Sequence, residues 1–182
     1  MLRTFIPTLV ILLLPVAASA RDWNVDASKS TLGFKGSYQG EAFNGTFKAF
    51  DAKIAYDAAD LAKARFDVTV DLASADTASA ERDDALKGSD FFAVAKFPKA
   101  RFETESFAQG ADGSVTAQGK LTIRDQTKPV TLKVKFVETG ATATLDVDSV
   151  LKRADFGLGA GSDWTDVGAD VSVHGHLVLT TK

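Results

Sequence analysis

The chain has 182 residues and a mass of 19.3 kDa, which fits one domain. Apolar residues make up 45% of it, enough for a substantial core and too many for a disordered chain. The formal charge is -3, with no block of Lys and Arg and no cysteine. Nucleic acid is therefore excluded as a partner, because neutralising phosphates needs clustered positive charge. A disulfide framework is excluded too, so packing must hold the fold together.

Residues 1–20 read as an export signal. Met1-Leu2-Arg3-Thr4 is a short positive region, Phe5 to Val16 is almost wholly apolar, and Ala17-Ala18-Ser19-Ala20 is a small-residue cleavage pattern. Pro7 and Pro15 interrupt the apolar run, which is short for a bilayer span. The expected mature domain is 21–182, cleaved after Ala20 and delivered to the periplasm; a retained N-terminal anchor is the alternative.

From Trp23 the chain alternates with period two. Trp23 to Asp26 is a short first strand, and Thr31 to Tyr38 a second. Phe43 to Tyr56 reads as one long strand, but Phe47 and Phe50 are three apart, which predicts a bulge near Lys48-Ala49. Asp57 to Leu61 reads as a helical turn. In Ala64 to Leu72, Phe66, Val68, Val70 and Leu72 share one face, and Arg65, Asp67, Thr69 and Asp71 share the other. That is a strand with one buried and one wet side.

Helical signals appear once in this domain. Asp76 or Thr77 can cap a helix over Ala78 to Leu86 that Gly88 ends. Ser89 or Asp90 can cap a second short helix that Pro98 stops. Strands resume over Arg101 to Phe107, Val115 to Ile123, Val130 to Phe136 and Ala143 to about Leu151, with a last one from about Val171 to Leu179. Asp125 to Pro129 reads as a turn. The expected fold is all-β, an antiparallel lipocalin-like barrel of about eight strands with a short helical insert around residues 76–97.

Four stretches in order resemble the YceI family of periplasmic lipocalin-like proteins. They are Arg82-Asp83 through Leu86 with Ser89-Asp90-Phe91-Phe92; Phe97-Pro98-Lys99-Ala100-Arg101-Phe102; Gly119 to Ile123 with Thr127-Lys128-Pro129-Val130; and Arg153-Ala154-Asp155-Phe156-Gly157. Asp125 stands where many members have Gly, and Ala154 where Ser is usual; both fall at turns or edges. The resemblance spans the chain from Trp23 onward and implies a barrel with an internal hydrophobic tunnel holding a polyisoprenoid chain. Phe43 to Asp51 further resembles a branch found beside cytochrome b561-type membrane proteins, which implies an isoprenoid quinone as ligand and such a cytochrome as partner. A homodimer would close a tunnel open at one end.

No nucleophile elbow, phosphate-cradling glycine loop or cysteine nucleophile is present, so an enzyme is not expected. His174 and His176 share a strand face and could hold a metal with a third ligand, but Val171, Val173, Leu177 and Leu179 oppose them, and we read the histidines as facing solvent. Asp83-Asp84 and Glu103/Glu105 read as solvated faces. Arg153 and Asp155, two apart on an expected strand, serve either as a salt-bridged rim fixing the Phe156 loop or as a contact for a ligand head group. Thirteen phenylalanines against two tyrosines suit a site for a chain that offers no hydrogen-bond partner. The candidate ligand-binding residues are Phe34, Phe47, Phe50, Phe66, Phe91, Phe92, Phe102, Phe136, Arg153, Asp155 and Phe156, with no cofactor beyond the bound isoprenoid lipid or quinone. The rival reading is a filled barrel acting in the envelope through a protein partner.

Overall fold

The computed structural model describes residues 20–182, so the expected export signal lies outside the described residues, except Ala20. Eleven strand segments form one antiparallel sheet. They are β1 (Arg21–Val25), β2 (Thr31–Tyr38), β3 (Glu41–Phe47), β4 (Phe50–Tyr56), β5 (Arg65–Asp71), β6 (Ala75–Asp76), β7 (Lys99–Gln109), β8 (Val115–Ile123), β9 (Gln126–Thr139), β10 (Thr142–Lys152) and β11 (Asp170–Thr181). Pairing of β1 with β11 closes the sheet on itself. β1 with β2, β3 with β4, and β5 with β6 are bent continuations of one another, so the segments build a barrel of about eight staves.

The bend between β3 and β4 falls at Lys48-Ala49, where the phenylalanine spacing predicts it. β3 pairs with β2, while β4 pairs with β1 and β5. In β5 Phe66 is buried near the start of the strand, and Val68 and Val70 follow on its face. A register shift between Thr104 and Ser106 of β7 is a bulge not included in the sequence reading, though Phe102 and Phe107 are five apart. It turns Phe107 inward beside Phe66, ring centroids 4.9 Å apart.

The insert between β6 and β7 holds a single α-helix, α1 (Ala80–Lys87), capped by Ser79 Oγ, which accepts from Arg82 N at 3.4 Å. This corrects two expectations. Asp76 lies in β6, and Thr77 is occupied otherwise: its N–H and hydroxyl both donate to Asp83, at 2.8 and 2.6 Å. Residues 89–97 form successive turns instead of a second helix, with Ala93 at a φ of 49°. A left-handed residue there reverses the chain and forbids helix propagation. A third correction concerns Arg153 and Asp155, which sit in a 3₁₀ turn (Arg153–Phe156) and not on a strand. Finally, Gln126 to Val130 belong to β9, and the turn is made by Arg124-Asp125, Arg124 having a φ of 57°.

Candidate functional site

The barrel interior is filled at its two ends and not continuously between them. At one end Trp23, Ile54, Tyr56, Phe66, Leu145 and Leu179 form a buried cluster contributed by the staves and the short turn after β4. Its rings interlock: Tyr56 lies 4.5 Å from Phe136 and 6.0 Å from both Phe66 and Phe107, and Trp23 meets Phe136 edge-on at 5.3 Å. The Trp23 indole N–H donates to the Tyr56 carbonyl at 3.0 Å, which satisfies the polar edge of a buried ring. Burial raises the pKa of the Tyr56 phenol, with the Asp57 charge adding to the effect.

At the other end Leu72, Leu86, Phe91, Phe92, Ile123, Phe156 and Leu158 form a second cluster, much of it brought by the insert and the 153–168 loop. Phe91 meets Trp164 edge-on at 4.7 Å, and Phe92 lies 6.1 Å from Phe47, which is 5.2 Å from Phe34. Two arginines hold this end shut. Arg153 donates from Nε to the Gly168 carbonyl at 3.0 Å, from Nη1 to the carbonyls of Leu158 (2.8 Å) and Gly159, and from Nη2 to those of Trp164 and Val167, each at 2.9 Å. Arg124 Nη1 donates at 3.2 Å to the carbonyls of Phe91 and Gly157, joining insert to loop.

Between the clusters runs a belt of inward side chains that belong to neither: Leu32, Val68, Phe102 and Val173. Leu32, Val68 and Val173 point into the barrel yet stay partly accessible to solvent. The buried core is thus divided into two clusters, with partly accessible aliphatic side chains and the buried Phe102 ring between them. Two buried glycines shape the inner wall. A Cβ on Gly45 would lie 2.2 Å from Phe34 Cζ, and one on Gly119 would lie 2.7 Å from Phe102 Cζ, so these two glycines let the Phe34 and Phe102 rings lie flat against the wall.

Two clefts in the wall lie where neighbouring strands part. β9 and β10 pair only as far as Lys133 and Asp148; beyond that point β9 stays with β8 and β10 with β11. A cleft of about 750 Å³ opens in this fork, with Val130, Leu151, Val173 and Phe156 among its lining. The second, about 490 Å³, lies where β1 leaves β4, beside Val25, Phe50 and Ala52.

The sequence candidates are thus divided. Phe66, Phe136 and the inner side of Phe50 belong to the stave-built end; Phe34, Phe47, Phe91, Phe92 and Phe156 belong to the insert-built end. Phe102 alone of the candidates lies in the belt. Arg153 is engaged by loop carbonyls and has no salt bridge to Asp155, which is exposed and lines the fork cleft. Sequence reasoning missed Val68, Val173 and Leu32, whose signal was the same alternation that identified the phenylalanines. It also missed Lys128, an inward residue of β9 opposite Leu121.

His174 and His176 point outward, as their strand pattern indicates, and each ring Nδ1 meets a β10 carboxylate: Asp148 at 2.9 Å and Asp146 at 2.6 Å. No group of three or more metal-ligating side chains converges among the described residues. The acidic pairs have structural partners: Asp83 binds Thr77, Glu103 pairs with Arg101 at 2.9 Å, and Glu105 pairs with Lys120.

Known proteins share this geometry. A protein of Shewanella denitrificans described as a UPF0312 protein is 37% identical over 132 residues, 71% of this chain and 69% of that one. The crystal structure of Burkholderia cenocepacia BcnA is 31% identical with a TM-score of 0.80, covering 85% of this chain and 99% of that one. A polyisoprenoid binding domain from Saccharophagus degradans, at 17% identity and a TM-score of 0.68 over 88% and 98% of the two chains, shares the fold. The model of the YceI-like domain matches residues 23–179, nearly all of the barrel, and the chain belongs to that family.

Proposed function

We propose that this protein carries or stores a single apolar chain, an isoprenoid lipid or isoprenoid quinone, in the belt between its two filled ends. Membership of the YceI-like family supports reading it as a lipid-binding protein and not as an enzyme. The observation that carries the ligand reading is the divided core: Val68, Val173 and Leu32 face inward, belong to neither cluster and remain partly accessible. Inward aliphatic side chains of this kind favour an apolar chain over a polar one at that level of the barrel. Burying an unbranched or prenyl chain there is favourable by about 25 cal/mol per Å² of apolar surface, so tight binding needs few polar contacts. The Saccharophagus degradans domain, described as polyisoprenoid binding, has the same fold and supports the same class of guest.

The family is typically periplasmic, and an export signal over residues 1–20 agrees with that location. A quinone guest, with a b561-type membrane cytochrome as its source or sink, is the form of this reading suggested by the Phe43 to Asp51 stretch. A homodimer that closes one end of the tunnel completes this reading. Mass spectrometry of an organic extract of the purified protein tests the proposal. A co-purified prenyl lipid, or stoichiometric uptake of added ubiquinone, is expected; an empty extract together with no uptake would refute it and leave the partner-binding, filled-barrel reading.

A further inference from the structure

The fork between β9 and β10 is more than a defect in the wall. Past Lys133 and Asp148 the two strands are tied by the Ser149 hydroxyl donating to the Thr131 carbonyl at 2.9 Å. The cleft that opens there has an apolar interior side, and its lining includes three lysines, Lys128, Lys133 and Lys152, against two carboxylates, Asp148 and Asp155. Asp148 is already engaged by His174 at 2.9 Å. None of the three lysines has a hydrogen bond or ion pair within the described residues. In a protein whose formal charge is -3, this opening thus carries three lysines against two carboxylates, a local excess of one positive charge.

Lys128 is the telling member. The β8–β9 register sets it opposite Leu121, and Leu121 packs against the cluster that contains Phe91 and Phe156. Its neighbours on the same face are Gln126 and Val130, so Lys128 belongs to the inner side of the barrel and is only half exposed. From Val130 onward the strand turns valine, leucine and phenylalanine inward, and an ammonium on that face gains nothing in packing. Partial desolvation of a charge without a partner is costly, and an anion placed beside it offsets that cost. The other breach, between β1 and β4, is lined by Asp22, Asp51 and Asp67 against Lys53, Arg65 and Lys182, an even balance that offers no such preference.

We infer that the guest's head group sits in the β9–β10 fork and is anionic, a phosphate or carboxylate held by Lys128, while the tail runs inward past Val130 and Val173 into the belt. This rests on the lipid-binding reading and narrows it. Lysine suits the role because a flexible point charge accepts an oxyanion without demanding one geometry.

The test is calorimetry with three probes, farnesol, farnesyl phosphate and inorganic phosphate, on the wild type and on K128Q and K128R, with thermal melts alongside. For the wild type at low salt, farnesyl phosphate is expected to bind about tenfold more tightly than farnesol, the size of one desolvated charge contact. K128Q should abolish that advantage while leaving farnesol affinity unchanged, and K128R should retain it. K152Q, at an exposed position of the rim, should reduce it less, and serves as the readout if K128Q melts early. Equal affinity for the two prenyl compounds would overturn the anionic head, and so would equal losses of both in K128Q. Inorganic phosphate binding as tightly as farnesyl phosphate would make the fork a free-anion site and overturn the head-group assignment. Failure of farnesol and farnesyl phosphate alike would overturn the lipid reading itself.

Discussion

The two ends of the barrel are closed by different means. At the Trp23–Tyr56 end the plug is made almost wholly of stave side chains, and every ring is anchored through a strand of the ladder. At the Phe91–Phe156 end much of the plug is carried on chain that is not sheet: α1, the turns after it and the 153–168 loop. Those segments are tied down by guanidinium-to-carbonyl bonds from Arg153 and Arg124 and by the Trp164 indole N–H donating to Asp90 at 3.0 Å. Sheet ladders open only with the whole fold, whereas loops held by a few side chains open locally and at lower cost. One end is therefore the foundation of the barrel, and the other can loosen while the barrel stands.

The largest effect should come from breaking the foundation. Phe66 is 2% exposed and touches Tyr56 and Phe107, so Phe66→Ala is expected to cost about 3–5 kcal/mol in urea unfolding, with the whole sheet losing amide protection together. If protection fell only locally, the stave-built end would not be the foundation. Arg153→Met comes next, at about 2–3 kcal/mol, because it strands carbonyls that had charged donors. Its signature is spatial. Amide exchange should rise over residues 153–168 and 89–92 while β5 and β11 stay protected, and a uniform rise would erase the contrast between the ends.

A smaller effect probes the belt that separates them. Val68→Trp adds volume at a position outside both clusters. Overpacking a filled core costs about 1–3 kcal/mol, but filling a chamber costs less than about 1 kcal/mol and displaces the guest. Unchanged stability with lost lipid uptake is expected; a large loss of stability would mean the belt is already full.

The smallest effects are those of pH. The Lys48 ammonium, bonded to Asp76 where β3 meets β6, holds that carboxyl below its ordinary 3.8, and the Ala78 N–H adds to this. Arg101 does the same for Asp67. Hydrogen bonds from Ser28 and Lys29 bring Asp26 down to about 2. A depressed carboxyl stabilises the fold above its unfolded value and ceases to do so as pH falls through its folded value. Stability should thus decline modestly from about pH 4 toward pH 2, since all these groups meet solvent. Tyr56 works in the opposite direction. Its raised pKa favours the fold below 10.0, and that contribution is lost as pH climbs through the higher folded value. Unfolding midpoints across both ranges check the signs. A barrel that gained stability below pH 4 would contradict the carboxylate assignments.

Much of the barrel was legible because alternation reports a wall with one dry side, and Phe66 to Leu72 shows it without interruption. The bend at Lys48-Ala49 was legible from a three-residue spacing of phenylalanines. The bulge at Thr104 to Ser106 left a signal of the same kind, Phe102 and Phe107 five apart, which reading Arg101 to Phe107 as one regular strand passed over. Pro129 misled the reading of β9. It looks like a turn, yet it lies where β9 has left β10, so its missing N–H breaks no bond to that strand. That reading hid Lys128, one residue earlier, whose inward parity with Val130 and Leu132 was present in the sequence. A salt bridge between Arg153 and Asp155 was one of two readings, the other being a head-group contact; loop carbonyls were in neither, because a nearby charge is visible in sequence and a set of carbonyls is not.

The central claim is that a guest occupies the belt and not either filled end. Methyl-labelled NMR during titration with a neutral prenyl chain tests it most directly. The account predicts guest-to-protein contacts to the methyls of Val68, Val173 and Leu32, and none to those of Leu145 and Leu179 within the stave-built cluster. Contacts confined to the outer surface, or no contacts at saturating ligand, would contradict it.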